Sequence, residues 1–473
     1  MISVLDMDAS TLAIKIRSGE ITSLDATSQY INHIKKVNPA LNCVVENRFE
    51  KAEKEAALCD RILKSGKAAG RLFGVPVSIK EAFNVERMKT TGGLSHRKGK
   101  FEKKNAVTVE RLRTEGAVIL CKTNTPTLCF CQETDNKLYG RTNNPWDPSR
   151  TAGGSSGGEA ALIAVGGAAV GLGSDIGGSI RFPSHFNGVV GFKSGWNQVP
   201  QEGHFPHVTD PFQERMVGFG ALAKSVSDAR LVNEIISGKV PEKKDLSGFS
   251  VCIPPKHPRH PLGAATAGIL EKIRESLGAD FHCHRDLPPH YGESSLLWQQ
   301  IMSIDGAREI SRLAFGERPD RPVLEYLKEV LTGRADLHRY ASWAIIGARL
   351  FKPGASRIRE MGNILESGGE TVNRHLDERI LIMPVYHVPA QPHTRVYRQL
   401  FSARRTFLIY MPYVAYANVW GLPSLTVPAG EDENGLPIGI QIISRVGNED
   451  AVFQMGNIIE ERFRGYVRCK KYD

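Results

Sequence analysis

The 473-residue chain has no apolar run close to the ~18 residues that a membrane-spanning helix needs. Its first residues lack the charged-then-apolar pattern of a signal peptide. The expected location is therefore cytoplasmic, without a transmembrane anchor. Cysteine is sparse, with eight residues scattered as Cys43, Cys59, Cys121, Cys129, Cys131, Cys252, Cys283 and Cys469. They form no dense disulfide framework, and reduced thiols are the simplest reading. Cys129-Phe-Cys131 and His282-Cys-His284 are spaced like ligands, but neither has the second pair of a structural zinc site, so no metal is expected. The absence of G-x-x-x-x-G-K-[ST] argues against a P-loop. No zinc-finger or RNA-recognition pattern accompanies the net charge of +10, which therefore reads as solvated surface rather than a nucleic-acid footprint. No Gly/Ser or Pro linker and no internal repeat divides the chain.

What is present is ordinary globular composition, 41% apolar and 24% charged. Residues 8 to 65 read as three helices, the first capped near Asp8-Ala-Ser10, the second opening at Ser23, the third running from Asn47 to Lys64. At Leu72 the texture changes. Leu72 to Lys80 is a short β-branched run of the kind buried strands use. Val107 to Glu115 reads as a helix, Ala117 to Cys121 as a strand, Ala160 to Gly171 as a small-residue helix and Val189 to Phe192 as a strand. Ser424–Pro428 and Ile438–Ile443 repeat the strand texture. The alternation argues an α/β layer fold with a mostly buried sheet. Between about 255 and 380 the chain is richer in polar helices and basic residues. The expectation is one domain over 1–473, with an inserted or appended helical region.

Two small-residue turns stand out, Gly153 to Gly158 and Gly177 to Ser179, each presenting a serine, Ser155 and Ser179. Glycine lets backbone N–H groups approach a ligand where a Cβ would block them. Gly153-Gly-Ser-Ser-Gly157 matches the G-x-S-x-G nucleophile elbow, although the upstream Asn144-Pro-Trp-Asp-Pro148 is turn chemistry and a tight turn before a helix fits equally well. Asp175-Ile-Gly-Gly-Ser179 lines up consecutive N–H groups, from Ile176 through Gly177 and Gly178 to Ser179, that suit an oxyanion. The only histidine near either turn is His185. A lysine substitutes for histidine in some serine hydrolases, and Lys80 ends an apolar strand where desolvation lowers its pKa. The plainer alternative is a lysine snorkelling from a strand end.

Taken together these pieces resemble the amidase signature family of serine hydrolases. Gly153 to Pro183 matches its signature, and Gly74-Val-Pro-Val-Ser-Ile-Lys80 matches its lysine-bearing strand. The resemblance continues through Lys122–Pro126, Asn143–Trp146, Gly220–Asp228 and Gly421–Pro428. Within the family, Asp135–Asn144 and Gln198–Pro206 look most like the fatty-acid amide hydrolases, type 2 above all. The amidase-type chains of the aminoacyl-tRNA amidotransferases are the main other relatives; they usually carry Thr and Gln where this chain has Ile176 and Phe182.

The resemblance implies a central mixed β-sheet covered on both sides by helices, with residues 65–230 as the signature core. It implies an amidase without metal or organic cofactor, also active on esters. Ser179 is the implied nucleophile, Ser155, on a cis peptide, the bridge, and Lys80 the base. The N–H groups of Ile176, Gly177, Gly178 and Ser179 are the implied oxyanion donors. Cys129 is expected along the substrate channel, with Ser156, Asp175 and Arg181 supporting the serine loops. The expected partner is a small-molecule amide. The region of Tyr340, Trp343, Ile345, Ile346, Leu350 and Phe351, followed by Lys352, Arg357 and Arg359, either caps an acyl channel, touches a membrane surface or packs as ordinary core. A homodimer is left open.

Overall fold

The central strands are short runs covered on both faces. The computed structural model describes residues 3–401 and 404–473. Its strands are β1 (Val44–Asn47), β2 (Pro76–Lys80), β3 (Val118–Thr123), β4 (Val170–Asp175), β5 (Val190–Lys193) and β6 (Gly218–Ala223), followed by β7 (Ser250–Cys252), β8 (Cys283–His284), β9 (Arg379–Pro384), β10 (Ser424–Glu431) and β11 (Pro437–Ile443). They make one sheet in the order β1-β3-β2-β4-β6-β5-β10-β11-β9-β7-β8. β2 runs parallel to β3 and β4, and β7 parallel to β8 and β9, while the remaining pairs are antiparallel. Every residue of β2, β3, β4, β6 and β11 is buried, as a mixed sheet with helices on both faces requires.

Side-chain caps begin the first two helices. The Asp8 side chain accepts from Thr11 N–H to begin Ala9–Arg17, and Thr22 caps Ser23–Leu41 through Asp25 N–H. Two elements differ from the sequence expectation. The run expected as a helix to Gly171 ends at Ala164, and Val170–Asp175 is instead β4. Gly166, at φ +77°, and Gly167 turn the chain between them. The third N-terminal helix starts at Phe49, because Val44–Asn47 pairs with β3.

The switch from helix to strand matters because β2 and β4 are adjacent. It brings the end of the lysine-bearing strand beside the turn after Asp175. The buried Glu159, on the helix Gly157–Ala164, accepts hydrogen bonds from Ser78 of β2 and Thr123 of β3. Burial pushes its carboxyl up to about 7 against those bonds. This helix, which follows the first serine turn, is thereby tied to the strand that carries the lysine.

The helices Ser294–Met302, Arg308–Phe315 and Arg339–Leu350 bring Met302, Ile310 and Ile345 to a cavity that Ser155 and Ser179 also line. Of the apolar residues expected here as a cap, Tyr340 and Ile345 are buried and Leu350 and Phe351 are exposed. Trp343 donates its indole N–H to Phe401 O at 2.7 Å. The exposed apolar face lies mostly on a neighbouring helix, Pro322–Thr332, through Val323, Leu324, Leu327, Val330 and Leu331. Among the described residues no helix is long and apolar enough to cross a membrane.

The most deeply buried charge pair closes the sheet over the second serine turn. Arg181 and Asp175 have fully buried side chains and meet at 3.0 Å. Arg181 also donates to Val414 O at 2.9 Å and Gln441 Oε1 at 3.0 Å, linking the turn to the helix Pro412–Val419 and to β11. Removing one partner of such a pair strands the other charge out of water. Arg181→Met is therefore expected to lower unfolding free energy by about 3–5 kcal/mol, measured by urea denaturation. A loss below about 1 kcal/mol contradicts this role for the pair.

Candidate active site

Lys80 closes β2 with its side chain fully buried. Its Nζ lies 2.7 Å from Ser155 Oγ, 2.9 Å from Ser174 Oγ and 3.4 Å from Ser174 O. Burial pulls the amine below the usual lysine value, opposed by Cys129, Asp175 and Glu159 nearby. Ser155 follows a cis Gly154–Ser155 peptide bond, as the resemblance implies. The two serine turns are joined by the Ser156 N–H, which donates to Ser179 O at 3.0 Å. Ser156 Oγ lies 3.4 Å from Ser174 O. Ser155 and Ser179 line one cavity of about 370 Å³, but their hydroxyls do not hydrogen-bond to each other.

The row of backbone donors is set by what holds its carbonyls. Trp298 Nε1–H donates to Ile176 O at 2.8 Å, and Gln132 Nε2–H donates to Gly177 O at 2.9 Å. In a planar trans peptide the next N–H points opposite to the carbonyl, so these two bonds also aim the N–H groups that follow. Among the described residues the N–H groups of Ile176, Gly177 and Ser179 meet no protein acceptor. Gly178 departs from the expected set of four, because its N–H donates to Asp175 Oδ1 at 2.8 Å. Its φ of +93° is a conformation that favours glycine. Asp175 also accepts from Ile180 N–H at 3.0 Å. Burial alone pushes the Asp175 carboxyl up, but Arg181, helped by the Lys193 charge and a hydrogen bond from Asn418, outweighs it and holds the group below the usual carboxylate range.

Cys129 lines the cavity, with its Sγ 3.3 Å from Thr125 Oγ1. His185 points away from the serines, towards Gly439 and Val388. Three residues that the sequence does not single out enter here. Ser174 stands beside Lys80, His204 Nε2 lies 2.9 Å from Ser174 Oγ, and Trp298 holds the donor turn. No spacing rule reveals them, since each meets the site across a long stretch of chain. The rest of the wall is mainly apolar, including Leu128, Phe130, Met302, Ile310 and Ile345.

Among the described residues only Cys252, Asp286 and His375 gather closely enough to share a metal. None lines the cavity. Arg379 stands where a cation belongs, 3.0 Å from His375 Nδ1 and 3.6 Å from an Asp286 oxygen. His282 and His284, on either side of Cys283, pack edge to face outside that trio.

A buried lysine beside a serine, a second serine in the same cavity and a turn of free N–H groups are the parts that acyl transfer requires. The sequence profile described as Amidase matches residues 25–268 and 341–453. The chain belongs to the amidase signature family. This amidase is an enzyme that hydrolyses carbon–nitrogen bonds. It is 30% identical to fatty-acid amide hydrolase 2-B of Danio rerio, over 98% of this chain and 91% of that protein. It is equally, 30%, identical to the amidase-type chain of glutamyl-tRNA(Gln) amidotransferase from Lachnospira eligens, over 97% of this chain and 98% of that one. A crystal structure of an amidase superposes with a TM-score of 0.81 at 26% identity, covering 97% of this chain and all of the other.

Trp298→Phe keeps the ring but frees the Ile176 carbonyl. Losing a hydrogen bond worth ~1 kcal/mol is expected to lower amide turnover about fivefold to tenfold, with only a small drop in Tm. Unchanged turnover alongside a lowered Tm limits Trp298 to packing.

Proposed function

We propose that this amidase cleaves carboxylic amides with an apolar, fatty or aromatic, acyl group through a Ser179–Ser155–Lys80 triad, with esters as secondary substrates. The observation that carries the reading is the fully buried Lys80 Nζ 2.7 Å from Ser155 Oγ, behind a cavity that Ser155 and Ser179 both line. Ser179 Oγ attacks the carbonyl carbon and its proton passes to Ser155, whose own proton passes to neutral Lys80. The free N–H groups of Ile176, Gly177 and Ser179 hold the oxyanion. As the C–N bond breaks, Ser155 protonates the leaving nitrogen and Lys80 returns its proton to Ser155. Water then hydrolyses the acyl-enzyme by the same relay. Cys129 borders the acyl path.

The helical region supplies substrate choice in this reading, supported by Met302, Ile310 and Ile345 in the cavity wall. The similarity to fatty-acid amide hydrolase 2-B favours a fatty acyl group. The exposed apolar face of Pro322–Thr332 suits peripheral contact with a membrane, and the eight unpaired cysteines suit a reducing cytoplasm. The equal similarity to an amidotransferase chain supports a second reading, a partner-dependent transfer enzyme.

An acyl-anilide series from acetyl to long-chain tests this reading. Rates should rise with acyl length and fall about 10³-fold or more in Ser179→Ala and Lys80→Ala, with folding intact. Silence across the series favours the amidotransferase reading, and near wild-type rates in either variant remove the triad. The pH profile adds a second check. Lys80 works as the neutral base and burial lowers its pKa, so kcat/KM rises with pH, with a midpoint below the free-lysine value of about 10.4. A rate that falls as pH rises through that range removes Lys80 as the base.

A further inference from the structure

We propose that His204, acting through Ser174, orients Lys80 so that its lone pair faces Ser155, making His204 a positioning residue of the relay. The inference rests on the triad reading above and follows from which atoms are able to donate.

His204 Nδ1 lies 3.0 Å from the carbonyl oxygen of Pro206, and a carbonyl only accepts. Nδ1 therefore carries the proton. Burial above all pushes the imidazole pKa down to about 3, so the ring is neutral and Nε2 offers only a lone pair. Ser174 Oγ, 2.9 Å away, must give its single proton to Nε2. What remains on Ser174 Oγ is acceptor capacity, so Lys80 Nζ, also at 2.9 Å, must donate to it. A neutral lysine has two N–H bonds and one lone pair. With one N–H on Ser174 Oγ and the other directed at Ser174 O, the lone pair is left for Ser155 Oγ.

Without His204 the Ser174 hydroxyl is free to turn and donate to Lys80. That rotamer occupies the lone pair that has to receive the Ser155 proton. Once Lys80 is protonated, the same arrangement accepts two of its three N–H bonds and stabilises the ammonium. His204 therefore acts on the base in both states without touching substrate.

The fold fixes the ring for this role. Phe83 and Phe219 meet it edge-on, with centroids at 4.9 Å and 5.1 Å. The loop is pinned to the continuation of β2, where Phe205 N–H donates to Ala82 O and Asn84 N–H donates to Gly203 O, both at 2.8 Å. The segment that carries Lys80 thus also carries the anchor of His204.

The test is a double-mutant cycle with a short acyl-anilide that the wild type turns over, measuring kcat, KM and Tm for His204→Phe, Ser174→Ala and the double variant. Each single change is expected to lower kcat about 10-fold to 100-fold with KM within about twofold. The double variant is expected to be no slower than the slower single one, because both remove the same constraint. Ser174→Thr, which keeps the hydroxyl, is expected to recover most of the rate. Should His204→Phe fail to fold, His204→Leu, which likewise offers no acceptor, takes its place in the cycle. Multiplying losses in the double variant, a loss carried by KM, or a His204 variant with wild-type kcat each overturn the proposal. Activity surviving in Ser179→Ala overturns the triad reading instead, and so separates the two failures.

Discussion

The buried pair of Asp175 and Arg181 is the constraint on which the site depends. β4 delivers Asp175 to the end of the sheet, and the carboxylate then collects N–H groups from Gly178 and Ile180 as well as the guanidinium. A charge so placed is tolerated only because nearly every lone pair has a donor. The geometry satisfying those lone pairs is the geometry of the serine turn itself. Ser179 sits where it does because the N–H groups on both sides of it are spent on one carboxylate. Gly178 is therefore a structural donor, and three N–H groups of the turn are left free.

Around that pair the protein handles buried charge in two ways. Asp175 is kept ionised by Arg181, while Lys80 has no carboxylate in direct contact and is pushed towards its neutral form by burial. A fully paired lysine is a poor base, whereas an unpaired buried one is a good base held without a counterion. Glu159 follows the second route, its carboxyl raised to about 7 while two hydroxyls donate to it. It braces the strand of Lys80 without placing a full negative charge against the amine.

The legible part of the site is the part carried by local sequence. The two Gly/Ser turns and the lysine at a strand end are visible because each needs particular residue types within a few positions. The sheet is legible where β-branched runs are bounded by turns, as in β2, β3 and β11. β4 escapes the sequence reading, which carries the preceding helix into it as far as Gly171, because Val170-Gly-Leu-Gly-Ser-Asp175 has little β-branched density and is made a strand by its neighbours β2 and β6. Ser174, His204 and Trp298 are hidden for a related reason. Ser174 reaches Lys80 across 94 positions, and Trp298 reaches Ile176 across 122. Long-range hydrogen bonds leave no period in a sequence.

The wall opposite the serines follows a different logic. Met302, Ile310 and Ile345 come from helices that contribute no hydrogen bond to the Lys80–Ser155–Ser174 cluster, whose partners lie on β2, on β4, in the turn before the helix Gly157–Ala164 and in the loop after β5. A side chain changed on those helices alters cavity shape while leaving every donor and acceptor of the relay in place. Trp298 is the exception, because the helix that carries it both faces the acyl cavity and holds Ile176 O. Through that one indole, the packing of the helical region bears on the aim of the Gly177 N–H. Cavity shape and the geometry of the donor turn are thus separable at most of the cavity wall and coupled through Trp298.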